Sequence, residues 1–211
     1  MRPMRSEGHN LISATDCVLV LGRRGCGKSF LAKRLQGMWP RRVVIDSLNE
    51  YSEGESVSNF HDFSEKLAKL KDENKKEFEL IYRFDPESEI SAQEFDHILR
   101  LCFYFSNIQV VIEEIQLYSS PHFLPKWLKN SLLIGRHRNL SILATSQRPG
   151  EVNKTILSQC SHIFCGNIIE GNDLKYVSAF LNLEAKKLST LPDRQFIYFS
   201  KNGIREISND F

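Results

Sequence analysis

The sequence lacks the features that mark membrane, secreted and repeat proteins. No apolar run reaches the roughly 20 residues that a membrane-spanning helix needs. Met1 to Arg5 carry charge with no apolar segment behind them, which argues against a signal peptide. There is no internal repeat and no low-complexity tract. We therefore expect a soluble, intracellular globular protein.

Cysteine pairing and a strong net charge are also missing. The cysteine count is odd and no two cysteines form a C-x-x-C pair, so free thiols in a reducing compartment are expected rather than disulfides or zinc. These cysteines are Cys17, Cys26, Cys102, Cys160 and Cys165. The formal net charge is only +2, which excludes a strongly basic coat protein and requires any nucleic-acid contact to come from a local patch.

What the sequence does contain is a complete phosphate-binding loop, G-R-R-G-C-G-K-S, at residues 22–29. An apolar run, 17–21, precedes it as a predicted strand, and residues 29–36 follow as a predicted helix that ends before Gly37. This context gives the short motif its weight, because glycines let the backbone N–H groups surround an anion at a helix N-terminus. The residues expected to contact a nucleoside triphosphate are Gly22, Arg23, Arg24, Gly25, Cys26, Gly27, Lys28 and Ser29. Lys28 would reach the β- and γ-phosphates, and the Ser29 hydroxyl would be a ligand of Mg²⁺.

A second motif follows the apolar strand predicted at 108–112, which ends in two acids, Glu113 and Glu114. This is the Walker B form, in which one carboxylate holds Mg²⁺ and the next activates the attacking water. Position in the motif assigns the metal to Glu113 and the catalytic base to Glu114. The first position is more often Asp, so the extra methylene of Glu113 predicts a slightly altered metal geometry.

A third polar segment closes the strand predicted at 140–145. Gln147 follows it, and its amide could contact both the γ-phosphate and the attacking water. Taken alone, the Ser-Gln-Arg-Pro sequence at 146–149 is also consistent with a simple polar turn ended by Pro149.

The remaining periodicities predict an α/β fold with a mostly parallel sheet, helices on both faces and a C-terminal β-hairpin. We expect one domain over 1–211, with its core at about 15–182 and the hairpin at about 195–208 around Asn202-Gly203. A helix is predicted over 121–138, with Phe123, Leu124, Trp127, Leu128 and Ile134 on its apolar face. Further expectations are a helix cap at Ser58 or Asn59, a capping box at Ser91 and Glu94, and flexible segments at 1–10, 50–58 and 71–77.

Three stretches resemble the HerA–FtsK superfamily of RecA-like (ASCE) P-loop ATPases that pump DNA. They are I-G-R-H-R at 134–138, L-A-T-S-Q-R-P at 143–149 and V-N-K-T-I-L-S-Q-C at 152–160. The resemblance implies ATP and Mg²⁺ as cofactors and Gln147 as the γ-phosphate sensor. It also implies an arginine finger supplied to a neighbouring subunit, which Arg136 matches best and Arg138 second, and hence a homo-oligomeric ring, usually a hexamer.

A bare ATPase of this length most resembles the genome-packaging ATPases of membrane-containing, tailless viruses. That resemblance implies double-stranded DNA as substrate, capsid-vertex or membrane-bound portal proteins as partners, and a place in the host cytoplasm or on the virion. The candidate DNA contacts are Arg41, Arg42, Lys126, Lys129, Arg138 and Lys154. No stacking aromatic is interleaved with them for base reading, so a grip on the DNA backbone is favoured.

Two alternatives remain open at this stage. One is an ATP-dependent factor for virion assembly or secretion, or a HerA-like helicase. The other is a nucleoside kinase, which the two acids and Gln147 argue against.

Overall fold

The computed structural model describes residues 12–37, 39–83 and 92–208. Its strands are β1 (Cys17–Leu21), β2 (Arg41–Asp46), β3 (Glu55–Val57), β4 (Phe78–Arg83), β5 (Ile108–Ile112), β6 (Leu140–Ser146), β7 (His162–Cys165), β8 (Gln195–Ser200) and β9 (Gly203–Ser208). Its helices are α1 (Lys28–Gln36), α2 (Phe60–Asp72), α3 (Ala92–Phe105), α4 (Lys126–Ile134), α5 (Lys154–Gln159), α6 (Gly171–Leu181) and α7 (Ala185–Ser189). Within these ranges no helix has both the length and the apolarity to cross a membrane.

The strands form one sheet in the order β3-β4-β2-β5-β6-β1-β7-β8-β9. The first seven run parallel, and β8 and β9 are antiparallel additions at one edge. The central strands β1, β5 and β6 are buried along their whole length, which explains their continuous apolar sequences. The predicted α/β class and the C-terminal hairpin are confirmed.

Helices cover both faces of the sheet, as predicted. On one face, Leu31 and Ala32 of α1 pack against Val18 and Val20 of β1. The other face carries a larger apolar layer, to which α2 through α7 all contribute. The inner face of α3 is buried: it consists of Phe95, Ile98, Leu99, Cys102 and Phe103.

The strand register brings the three sequence motifs to one edge of the sheet. Leu21 at the end of β1 lies opposite Ser146 of β6, and Ile112 at the end of β5 lies opposite Ala144. The segments after β1, β5 and β6 therefore leave the sheet side by side. In open α/β sheets this carboxyl edge is where ligands bind.

Two predictions about the connections were wrong. The segment 50–58, expected to be flexible, contains β3, which pairs with β4. The sequence pattern did not predict this strand, because it is only three residues long and largely polar. The helix expected over 121–138 is confined to α4 and a 3₁₀ turn, Gly135–Arg138, because a tight turn with mutual Ser120 and Phe123 backbone bonds precedes it.

The same shortening changes which side chains are buried. Phe123 and Ile134, expected on the apolar face, are 49% and 47% exposed. Leu128 is buried as predicted, and Leu132 is buried beside it. Helix α2 extends to Asp72, which brings the start of the segment 71–77 into regular structure.

Of the expected helix caps, the one at Asn59 is confirmed, since its side chain accepts a hydrogen bond from the Asp62 N–H. Ser91 of the predicted capping box and residues 1–10 lie outside the described residues.

Candidate nucleotide-binding site

The phosphate-binding loop has the backbone that its glycines predict. Gly22, Gly25 and Gly27 have φ values of 144°, 82° and 97°, which disfavour any residue with a side chain. At Gly22 a Cβ would also lie 2.7 Å from the Cys26 sulfur. Cys26 is fully buried, so its side chain packs in the core and only its backbone faces a ligand. Burial also raises the pKa of its thiol.

Lys28 lies at the start of α1 with its side chain buried, and its Nζ donates a hydrogen bond to the Arg23 carbonyl oxygen, 3.2 Å away. Burial lowers the pKa of this amine, while the carboxylates of Glu113 and Glu114 act against that shift. Ser29 is half-buried beside it. The amine is therefore held over the loop, where an anion would replace its backbone acceptor with a full negative charge.

A segment far along the chain is hydrogen-bonded to the phosphate loop. The Arg194 N–H bonds to the Cys26 carbonyl at 3.0 Å, and the Arg23 guanidinium bonds to Asp193 at 2.7 Å and to Asn167 at 2.8 Å. The Asn167 amide in turn donates to the carbonyl oxygens of Ser189 and Leu191. We call residues 189–194, together with Asn167, the loop strap.

Sequence reasoning missed the loop strap. The only local sign is the left-handed backbone of Arg194, with φ 65°, which a sequence does not reveal. Arg194 lies against Gly27, where a Cβ would approach the Arg194 Cγ to 3.3 Å. Gly27 therefore also makes room for the strap.

Glu114 and Gln147, predicted as catalytic base and γ-phosphate sensor, are in direct contact. The Gln147 backbone N–H and side-chain amide donate to the two carboxylate oxygens of Glu114 at 2.9 and 2.7 Å. The Gln116 amide donates to Glu114 at 2.6 Å. The structure thus joins two of the predicted catalytic residues, and it adds Gln116, which the sequence gave no reason to select.

The backbone of Glu114 is itself unusual. Its φ of 51° and ψ of 62° are left-handed, which is uncommon for a residue with a side chain and costs about 1–3 kcal/mol. The Glu114 N–H donates to the Thr145 hydroxyl at 3.1 Å, and Thr145 is buried at the end of β6. This bond between neighbouring strand ends holds the left-handed turn that directs Glu114 towards Gln147.

Glu113 is buried, and both of its carboxylate oxygens lie without a hydrogen-bond donor among the described residues. Burial is the main cause that raises its pKa to about 9, and the neighbouring Glu50 and Asp46 carboxyls raise it further. Asp46 is already occupied by the backbone N–H groups of Glu50 and Tyr51 and by Arg83. The two buried Glu113 oxygens fit a divalent cation near the phosphate loop. Such a cation would coordinate them and offset the negative charge of Glu113, Glu50 and Asp46.

Arg136 lies far from the other predicted catalytic residues of its own chain. It belongs to the 3₁₀ turn at the amino end of β6, whereas Gln147 follows the carboxyl end of that seven-residue strand. A strand of this length separates them by about 20 Å. The side chain is exposed, and among the described residues it makes no hydrogen bond or ion pair. At this position Arg136 is too far from Gln147 to contact a nucleotide bound by its own chain.

A cavity of about 230 Å³ opens beside the phosphate loop. Arg23, Arg24, Gln147 and Arg148 line one part of it, and residues 168–170 with Asp173 line the rest. Asp173 is buried and accepts hydrogen bonds from the Gly150 N–H and from Arg148. This volume adjoins the sensor end of the site and is open to a side chain from outside.

Among the candidate DNA contacts, Arg42 is the one that forms an ion pair within the described part of the fold. It forms an ion pair with Glu79 at 2.7 Å and donates to the Trp39 carbonyl, so its charge is used within the fold. Arg41 is half-buried and donates to Asn74. Lys126, Lys129, Arg138 and Lys154 are exposed. One of these cations, Lys126, lies over the Trp127 ring.

All five cysteines are buried free thiols, as predicted.

With this geometry in place, the chain can be compared with known proteins. It superimposes on the genome-packaging NTPase B204 of Sulfolobus turreted icosahedral virus 2, solved in complex with ATP-gammaS, with a TM-score of 0.74. The superposition covers 92% of this chain and 98% of that one, at 19% identity. The chain has the fold of a viral genome-packaging NTPase. The resemblance expected from the three motifs is confirmed at that level.

Two further comparisons agree with this assignment of fold. VirB4 of Thermoanaerobacter pseudethanolicus superimposes with a TM-score of 0.67 at 12% identity, over 97% of this chain and 91% of that one. In sequence, Protein P9 of Pseudoalteromonas phage PM2 is 29% identical over 220 residues, which cover 96% of this chain and 95% of the phage protein. No protein-family model matches the chain.

Proposed function

We propose that this chain is an ATPase that couples hydrolysis of Mg²⁺–ATP to movement of double-stranded DNA, as a genome-packaging motor of a virus. The observation that carries the proposal is the bidentate contact between Glu114 and Gln147 at the sheet edge that holds the phosphate loop. A plain polar turn at 146–149 would give no reason for a buried glutamate to receive two hydrogen bonds from one glutamine. The similarity to B204, a packaging NTPase solved with an ATP analogue, supports the same reading.

In this proposal the loop binds the triphosphate and Lys28 neutralises its β- and γ-oxygens. The N–H groups of the loop and the first turn of α1 supply the rest of the anion site. Because the Lys28 amine is buried and bonded only to a carbonyl oxygen, it gains a stronger partner when phosphate arrives. The donors are already oriented, so little reorganisation is needed at the moment of reaction.

Glu114 is the proposed base that takes the proton of the attacking water. Gln147 is the proposed link between Glu114 and the γ-phosphate. Its side-chain amide donates to the Glu114 carboxylate at 2.7 Å, and it lies on the segment that follows β6, at the edge of the sheet that holds the phosphate loop. Loss of the γ-phosphate would therefore alter the surroundings of Glu114 through the Gln147 side chain alone. Arg148, which follows Gln147 and is bonded to Asp173, links that change to α6.

Mg²⁺ would be held by the Ser29 hydroxyl and Glu113, whose buried oxygens lack donors among the described residues. When bound, the cation neutralises charge on the β- and γ-phosphates. Glu113 lies one residue from Glu114, so the same strand end would fix metal and base together.

We propose a homo-oligomeric ring, with a hexamer as the expected form. Arg136 of one subunit would complete the site of the next, as a finger that stabilises the charge transferred with the γ-phosphate. The cavity beside Gln147 offers an opening for it. Recruitment by a capsid-vertex or membrane-bound portal protein belongs to the same proposal, as does a site of action in the host cytoplasm or at the virion.

Phosphate release by the purified chain, with and without linear duplex DNA, tests the proposed function. We expect hydrolysis that duplex DNA stimulates, that nucleosides leave unchanged and that Lys28→Ala abolishes. Lys69→Ala, on the exposed surface of α2, is the matched control and should behave as the wild type. Circular dichroism checks that Lys28→Ala is folded. Hydrolysis by folded Lys28→Ala would reject the site, and turnover that depends on a nucleoside acceptor would favour a kinase.

A further inference from the structure

Four cations surround a group of aromatic rings where α3 packs on α4. The Arg100 guanidinium and the Lys126 amine each lie 5.8 Å from the centre of the Trp127 ring. The Arg138 guanidinium lies 5.7 Å from the Phe103 ring and 5.9 Å from the Tyr104 ring. Lys71 of α2 reaches the same place and donates to the Tyr104 carbonyl at 3.2 Å. We call Lys71, Arg100, Lys126 and Arg138, with these three rings, the α3–α4 basic cluster.

The cluster holds an uncompensated positive charge. All four cations are exposed, and none forms an ion pair among the described residues, whereas Arg23, Arg42, Arg83 and Arg148 do. The acid that contacts the cluster is Asp96, which is half-buried and accepts the Trp127 backbone N–H at 2.6 Å. The whole chain carries only +2, so four unpaired cations at one place are a local feature of the described surface.

The rings hold the cations rather than offering themselves to a base. Trp127 has Arg100 and Lys126 over it, packs against Phe103 and Tyr104 at 5.4 and 5.5 Å, and is half-buried. A cation over a ring face gains modestly at an exposed site, about 0.5–1 kcal/mol, and it is fixed in direction. Fixed, unpaired cations at a surface suit the phosphates of a nucleic-acid backbone.

We infer that the α3–α4 basic cluster binds the phosphate backbone of duplex DNA without reading its sequence. This rests on the proposed function and adds the surface through which DNA is held. Two of the sequence candidates, Lys126 and Arg138, belong to the cluster, while Arg42 does not. Lys71 and Arg100 are new, because their distance along the chain from Lys126 hides the grouping.

The two arginines of the 3₁₀ turn, Arg136 and Arg138, have different surroundings. Residues two apart in a 3₁₀ turn point about 120° away from each other. The Arg138 guanidinium lies beside the Phe103 and Tyr104 rings of its own chain, and Arg136 makes no such contact among the described residues. Arg138 therefore holds DNA, and Arg136 is left for the neighbouring subunit.

The test measures binding of a fluorescent 30-base-pair duplex by anisotropy across a salt series, in the presence of ATP-gammaS. The variant is Arg100→Ala with Lys126→Ala, and the control with equal charge loss is Lys175→Ala with Lys186→Ala, exposed on α6 and α7. Loss of two phosphate contacts should reduce the slope of log K against log salt by about 1–2 and weaken binding roughly tenfold to hundredfold at 0.1 M salt. Thermal unfolding should show that the variant is folded, and its DNA-free ATP turnover should match the wild type.

The outcomes distinguish the two claims. If the wild type binds duplex DNA and the cluster variant keeps its affinity and salt slope, the inference is overturned while the proposed function stands. An equal loss in the α6–α7 control would also overturn it, since net charge alone would then explain the effect. If the wild type binds no duplex DNA under any of these conditions, the proposed function itself fails.

Discussion

Glu114 is the residue whose geometry most restricts the chemistry of the site. A left-handed glutamate persists only when its surroundings hold it there, and here Thr145, Gln116 and Gln147 all bond to it. The Glu113 carboxylate, one position earlier, faces acids and receives no hydrogen bond among the described residues. The two adjacent glutamates thus have opposite surroundings. Hydrogen-bond donors orient the Glu114 carboxylate, as a catalytic base requires, whereas the buried Glu113 carboxylate oxygens have no donor among the described residues and are available to a cation.

The first prediction follows from that contrast. Glu114→Gln should bind ATP with wild-type affinity and hydrolyse it about 10²–10⁴-fold more slowly, because an amide cannot accept the proton of water. Binding is measured with a fluorescent ATP analogue and turnover by phosphate release. Glu65→Gln on the exposed face of α2 is the matched control. If Glu114→Gln stays active while Glu113→Gln traps bound ATP, the roles of the two glutamates are reversed.

At this scale the sequence predicts the site residues that belong to compact motifs. Gly22 to Ser29, the Glu113–Glu114 pair and Gln147 each follow a buried strand, and parallel strands bring their ends together without further information. Gln116 and Thr145 were not selected, because their contacts to Glu114 depend on a left-handed turn that no residue type near Glu114 indicates. The pairing of Arg42 within the fold was not predicted, because its partner, Glu79, lies 37 positions away.

Among the elements, the loop strap is the feature with the clearest consequence for nucleotide binding. It connects the segment before β8 to the phosphate loop through bonds from Arg194, Asp193 and Asn167. A glycine-rich loop has much conformational freedom to lose, so bonds that order it in advance lower the entropy cost of binding a ligand. The segment that leads into the C-terminal hairpin therefore also restrains the phosphate loop.

The second prediction concerns this strap. Asn167→Ala removes the bonds to Arg23, Ser189 and Leu191, and we expect nucleotide affinity to fall about tenfold, since lost bonds to buried groups cost about 1–3 kcal/mol. Titration with a fluorescent ATP analogue measures the change, and Asn172→Ala, exposed at the start of α6, serves as control. Wild-type affinity in a destabilised Asn167→Ala protein would mean that the strap supports folding alone.

The elements themselves were predictable where the hydrophobic pattern is long and regular. Helix α3 and the central strands agree with their periodicities. Strand β3 was missed because three polar-flanked residues carry too little pattern, and α4 was drawn too long because Pro121 and Pro125 start a turn that resembles a helix start. The strap and the α3–α4 basic cluster join residues far apart in sequence, so only the fold reveals them.

On the scale of the whole molecule, the proposed arginine finger lies far from the nucleotide site of its own chain. The phosphate loop, Glu114 and Gln147 share the carboxyl edge of the sheet, while Arg136 lies at the opposite end of β6, about 20 Å away by the length of that strand. If Arg136 acts in catalysis, it does so on another copy. The DNA surface inferred at α3 and α4 begins two residues later, at Arg138, so subunit contact and DNA contact would be linked by one short turn.

The third prediction tests completion of the site across subunits. Arg136→Ala should bind ATP normally but hydrolyse it at least about 10³-fold more slowly. Mixing it with Lys28→Ala, whose own site is dead but whose Arg136 is intact, should restore part of the activity. Mixing it with the double variant Lys28→Ala and Arg136→Ala should restore none. Absence of rescue at every ratio, with assembly confirmed by light scattering, would contradict a finger in trans.

The central claim is that hydrolysis at this site moves duplex DNA, and displacement of a third strand from a linear duplex measures that movement most directly. A fluorescent oligonucleotide bound as a triplex at one end of the duplex is released when a motor travels through it. We predict ATP-dependent release by the wild type and none by Glu114→Gln with ATP bound. Steady, DNA-stimulated hydrolysis by the wild type without any strand release would contradict the account.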